Sequence, residues 1–220
     1  MNKSLLYLIT ILTLFPITGC KKYKEESIEF DNKSYINNFQ LIQENTSNNT
    51  IIRIKSPRAI INPTNNDIAI FESSIEVLND KGQDIQIKSG NSVLNNFNNL
   101  ISAYDNVYIS FLDNNTNLYI KTKSLDWDLN SSNIILNSPL DIKFDNSSII
   151  SKNGSYNINS NLLNINNNTF NRIIISDNGK KLYQIKIISD NAKWYKKKKL
   201  IEFISNKQQV ETTINFLSTK

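Results

Sequence analysis

The side chains able to do chemistry are few, and that scarcity is informative. The chain of 220 residues contains no histidine and one cysteine. The commonest general base, a zinc site built from Cys and His, and an internal disulfide are therefore all missing. What remains is carboxylates, lysines and a single thiol. The acids lie scattered in polar turns and on the polar side of alternating segments. Two carboxylates facing each other across a cleft would suffice for glycoside hydrolysis, but no spacing marks out such a pair. Basic residues are dense at one place, Lys196 to Lys199, with Lys193 and Lys180-Lys181 near in sequence. Such a cluster suits a solvated turn whose charges guard a sheet edge, or else an electrostatic contact to an anionic partner. A formal net charge of +5 is too modest to argue for nucleic acid. No Gly-rich phosphate loop, HExxH, nucleophile elbow or EF-hand pattern occurs, so the sequence implies neither a cofactor nor a metal.

The thiol, Cys20, has a telling position. Lys3 supplies a positive start, Leu5 to Phe15 an apolar run too short to span a bilayer as a mature helix, and small residues precede the cysteine. Residues 1–19 thus read as a secretory signal. Ile17-Thr18-Gly19-Cys20 also resembles the bacterial lipobox, which implies lipidation of Cys20 and a stable membrane anchor. A plain signal peptide with an incidental cysteine, or a short uncleaved anchor, are the competing readings. Residues 20–49, polar and mixed in charge, read as a tether, and residues 50–220 as the folded domain.

The elements that must position everything else are strands. Leu118, Ile120 and Thr122, then Leu125, Trp127 and Leu129, then Leu140, Ile142 and Phe144 alternate with polar neighbours, the period of a half-buried strand. Asn130 to Asn133 supply a turn between them. An apolar residue followed seven positions later by an aliphatic one recurs at Leu94–Ile101, Trp127–Ile134, Tyr156–Leu163 and Trp194–Ile201. Ile101, Val107 and Ile109 precede Ile134, Leu140 and Ile142 by 33 residues, whereas Trp127 to Tyr156 is 29 and Tyr156 to Trp194 is 38. A degenerate repeat of short antiparallel strands accounts for this spacing. Isoleucine and asparagine dominate, alanine is scarce and there are only 5 glycines, so the fold class is all-β. Pro57, Gly90, Pro139 and the pair Asn153-Gly154 punctuate the pattern and read as breaks or turns between strands.

With these segments in hand, the sequence resembles the LptC family and its relatives LptA and OstA. The resemblance is carried by Ile54 to Ala59 (IKSPRA), Ile85 to Gly90 (IQIKSG), the stretch from Leu118 or Ile120 through Asp128 (ending SLDWD), Ile134 to Ile142 (IILNSPLDI) and Ile150 to Asn157 (ISKNGSYN), over roughly residues 51–170. It implies a twisted, V-shaped antiparallel β-jellyroll whose two sheets enclose a groove for the acyl chains of lipopolysaccharide. It also implies a periplasmic protein, here held by a lipid on Cys20 and more naturally at the inner membrane than the outer. Such a protein accepts lipopolysaccharide from an inner-membrane ABC transporter and passes it, without covalent chemistry, to an LptA-like bridge protein through an edge strand. The lipid anchor in place of a transmembrane helix, and a longer lysine-rich C-terminal part, depart from the pattern.

If the sheets enclose a groove, the alternating set Ile85, Ile87, Leu118, Ile120, Leu125, Trp127, Ile142, Phe144, Tyr156, Ile158 and Leu163 supplies its walls. Patterning alone reports burial, and for any one of these residues a dry core is the plainer reading. In the groove reading, Lys196 to Lys199 would meet lipid phosphates at the mouth. The rival function is a structural or adhesive surface lipoprotein with a closed β-sandwich, which requires a filled interior.

Overall fold

Strict alternation of Ile, Leu and Val with polar residues puts a strand's apolar side chains on one face, and a chain made almost wholly of such segments can hide them only by closing that face on itself. The computed structural model describes residues 34–45, 50–79, 82–113, 116–137, 139–206 and 209–217. It contains β1 (Ser34–Asn45), β2 (Thr50–Ile61), β3 (Ile68–Asn79), β4 (Gly82–Asn95), β5 (Leu100–Asp113), β6 (Thr116–Asp128), β7 (Asn133–Asn137), β8 (Leu140–Phe144), β9 (Ser147–Asn157), β10 (Leu162–Ile175), β11 (Lys181–Tyr195), β12 (Leu200–Ile204) and β13 (Glu211–Phe216), with one 3-10 turn at Lys196–Lys198. Every pairing is antiparallel, and the ladder is one continuous sheet in the order β1-β2-β3-β4-β5-β6-β7-β9-β10-β11-β12. β8 carries on beyond β7 between β6 and β9, and β13 pairs with β11.

The all-β reading is thus met, by one sheet of bent strands. The sheet also starts earlier than Thr50. β1 lies inside the segment read as a tether, where Ile36, Phe39 and Leu41 turn inward against β2 while polar side chains between them hide the pattern. The signal and Cys20 lie outside the described residues.

Register shows how the apolar face is assembled. Ile54, Ile75, Ile87, Ile109, Ile120, Ile142 and Ile149 stand directly opposite one another across seven successive strands, a single row of β-branched side chains on a pleated surface. The four pairs spaced by seven residues, Leu94–Ile101, Trp127–Ile134, Tyr156–Leu163 and Trp194–Ile201, are all cross-strand partners flanking a turn, and together they form a second row. Each fully buried Ile or Leu contributes roughly 1.5–3 kcal/mol.

Between these rows nearly every strand is creased. The β4–β5 register slips between Lys88 and Asn91, and the β5–β6 register between Tyr104 and Val107. Asn38, Glu72, Asp105, Asn106 and Asn167 take positive φ within their strands. A bulge of this kind bends a strand and leaves ladder groups without partners. Here buried hydroxyls meet them: Ser56, Ser89, Thr122, Ser151 and Ser189 each reach the carbonyl two residues on, at 2.6, 3.0, 3.3, 3.0 and 2.9 Å. Successive members of that set are 33, 33, 29 and 38 residues apart, intervals also seen between the apolar positions. The punctuating residues Pro57, Gly90, Pro139 and Asn153-Gly154 fall along this crease. In particular, Asn153-Gly154 does not turn the chain; both residues sit inside β9.

Gly154 is buried, and a Cβ there would lie 2.5 Å from the backbone oxygen of Asn164 and 3.1 Å from Leu140 Cδ1. Because the obstructing atom is backbone, it cannot step aside as a side chain would. Gly154→Ala is expected to destabilise the domain by about 1–3 kcal/mol in urea titration, as overpacking does. An unchanged midpoint would show that β10 has room to retreat.

Candidate functional site

The crease folds the two rows of one face toward each other. Phe111 of β5 meets Tyr156 of β9 edge-on, ring centroids 4.8 Å apart, and Trp194 of β11 at 6.4 Å. These strands are not ladder neighbours, so the contacts run across the interior. Of the residues read as groove walls, Ile85, Ile87, Leu118, Ile120, Leu125, Trp127, Ile142, Tyr156, Ile158 and Leu163 are all buried in one continuous core. Trp127, 1% exposed, points its indole Nε1–H at the Ser131 carbonyl, 3.3 Å away. Tyr156 donates its hydroxyl to Asn161 Oδ1 at 3.1 Å. Burial, and to a lesser degree the charge of Asp84, raise its phenol above the ordinary range and keep it a donor.

Phe144 is the exception. It is half-buried and lines a cleft of about 400 Å³, where the facing halves of the sheet do not close. Phe144, Ser147, Phe170 and Arg172 come from one half, and Trp194, Ile201 and Phe203 from the other. The aromatic rings form a connected floor: Phe144 stacks on Trp194 at 6.1 Å, Phe144 lies 6.4 Å from Phe170, and Phe170 lies 5.3 Å from Phe203. The rim carries Asp145, from the β8–β9 turn, with Arg172 and Lys199. Both cations are exposed, and neither pairs with a carboxylate among the described residues.

The lysine cluster divides by role. Lys196 points inward: its Nζ lies 2.6 Å from Asp84 Oδ1, the two side chains are 6% and 18% exposed, and the ammonium sits 5.4 Å above the Phe111 ring. Lys198 lies over the ring of Tyr195 at 5.4 Å. Lys199, in the left-handed conformation that ends the 3-10 turn, reaches the cleft.

Sequence reasoning named Phe144 and the lysine turn, but not Phe170, Arg172, Ile201 and Phe203, as cleft residues. The pair Trp194–Ile201, spaced by seven, was the available signal, since it places β12 on the interior row. Asp84 had none, being separated from Lys196 by 112 residues. Among the described residues no group of His, Cys, Asp or Glu is arranged to hold a metal, and no helix is long and apolar enough to cross a membrane.

An aromatic floor beneath two cations can hold a group that is apolar at one end and anionic at the other, which is the build of a non-covalent binding protein. The chain belongs to the LptC-related lipopolysaccharide-assembly family, whose profile matches residues 5–173, and that is a transport family, not an enzymatic one. Among solved structures, the chain is similar to the crystal structure of LptH, the LptA homologous periplasmic component of the conserved lipopolysaccharide transport device from Pseudomonas aeruginosa. The TM-score is 0.42 and the identity 8%, over 52% of this chain and 81% of that one. No curated protein matched the sequence. The family match stops at residue 173, so Trp194, Lys199, Ile201 and Phe203 of the cleft come from the part beyond it.

Proposed function

We propose that this protein is a membrane-anchored periplasmic carrier in lipopolysaccharide export. It accepts lipopolysaccharide from an inner-membrane ABC transporter and hands it, by non-covalent transfer, to a bridge protein of like fold. Cys20 is its lipid anchor, and the creased sheet is a V-shaped jellyroll of two facing sheets built from degenerate repeats. The observation that carries the reading is the cleft, in a chain of a lipopolysaccharide-assembly family: apolar rings for acyl chains, with Arg172 and Lys199 where phosphates would lie. Burying acyl chains there contributes about 0.8 kcal/mol per methylene. Among the described residues the sheet ends at β1 on one side, and that edge supports joining to a partner by strand addition.

The filled interior favours one rival, a surface lipoprotein with a closed sandwich. Photo-crosslinking in living cells separates the two. A photoreactive residue at Ile201, facing the cleft, is expected to capture lipopolysaccharide, and one at Ile135, 53% exposed on the opposite face of the sheet, is not. Absence of lipid adducts at both positions would leave the closed sandwich as the working description.

A further inference from the structure

We propose that Lys196, with Lys199 and Arg172, forms the phosphate site of the cleft, and that Asp84 fills this site until an acylated lipid arrives; the inference rests on the carrier reading above. Asp84 belongs to β4 and Lys196 to the turn after β11, and these elements share no ladder. Their contact at 2.6 Å therefore joins the two facing halves of the sheet directly. It is the most buried ion pair among the described residues; the other three have at least one partner whose side chain is about a third exposed or more.

A buried pair is held together against a large desolvation penalty, and an apolar pair of similar size would close the gap as well or better. What a charged pair adds is exchangeability. Lys196 must keep an anionic partner while it is buried, but that partner need not be Asp84. The cleft presents the alternative: Lys199 lies in the same turn, its amide bonded to the Lys196 carbonyl at 3.2 Å, and Arg172 stands on the rim. The latch and the cleft are linked through two rings, because Phe111 lies under the Lys196 ammonium and meets Trp194, which lines the cleft.

Volume makes the exchange necessary. A space of about 400 Å³ is at the small end of ligand pockets. It suits one chain, whereas the interior beyond is packed with fully buried Ile85, Ile87, Leu118 and Ile120. Further chains can follow only if the two halves part, and among the described residues the Asp84–Lys196 pair is the ion pair that joins them across the interior. A phosphate on the arriving lipid takes Lys196, releases Asp84 and lets the interior open while the ammonium stays paired.

The experiment uses the full chain in nanodiscs of zwitterionic lipid, doped with lysophosphatidate (one chain, one phosphate) or with the matching monoacylglycerol. Hydrogen exchange is read over Leu200–Ile204 and the start of β4. Lysophosphatidate is expected to speed exchange at both segments on the order of tenfold, monoacylglycerol and inorganic phosphate alone to leave it unchanged, and Lys196→Met to lose the response. Equal effects of the two lipids, a full effect of inorganic phosphate alone, or a response retained in Lys196→Met would overturn the proposal. The lipid comparison needs no variant, so it decides even if Lys196→Met folds poorly. Tryptophan quenching by probes with brominated chains keeps the two readings apart. Quenching by both without a phosphate-specific response overturns the latch and leaves the carrier standing, whereas quenching by neither overturns both.

Discussion

Trp127→Ala is expected to lower the stability of the domain by about 3–5 kcal/mol, the usual loss when a large aromatic is removed from a packed core. Trp127 is 1% exposed, stands between Ile101 and Ile134 in the register, and donates to Ser131. The Ser131 carbonyl loses that donor in the variant. Against a total of roughly 5–15 kcal/mol for a domain, such a loss would shift the urea midpoint far enough to be plain by circular dichroism. The measurement also bears on function. If Trp127 lines an open groove in the lipid-free fold instead of packing in its core, its removal should cost that fold little. A change below about 1 kcal/mol would therefore return Trp127, and its neighbours in the row, to the ligand-contact reading.

Phe203→Glu is expected to reduce lipopolysaccharide capture at the cleft on the order of tenfold or more, because an uncompensated carboxylate in an apolar site costs a few kcal/mol. Phe203 packs on Phe170 at 5.3 Å and is only half-buried on the five-residue strand β12, paired with Ala192 across from it. Its replacement therefore perturbs an edge, not the packed rows. The new carboxylate would join Asp145 among the cleft residues and oppose an anionic lipid. Phe203→Leu, which keeps the site apolar, should retain most of the capture. Equal adduct yields for wild type and Phe203→Glu would mean that lipid does not lie on this floor, and the cleft would lose its assignment.

The two substitutions probe different levels of what the sequence discloses. Alternation through Leu118, Ile120, Leu125, Trp127 and Ile142 marked the buried face residue by residue, since in a strand the side-chain period is a property of the backbone. The seven-residue pairs were equally legible, because a short turn between two strands sets which residues stand opposite. The family could be read for the same reason, its motifs being short segments whose order and spacing survive in the chain. Pro57, Gly90 and Asn153-Gly154 were visible too, but their meaning was not. A residue that ends a strand and one that creases it share the same local preferences, and only neighbouring strands decide which occurs.

What the sequence by itself determined is therefore local and periodic: strands, turns, the face each strand buries, and the absence of histidine-based chemistry. The crease that brings Phe111 onto Trp194, the gap left between Phe144 and Phe203, and the union of Asp84 with Lys196 belong to the tertiary structure alone. They depend on how far one sheet twists and folds over ten or more strands. That is a sum of small bends which no window of sequence contains, and it sets which residues distant in the chain come to share a wall.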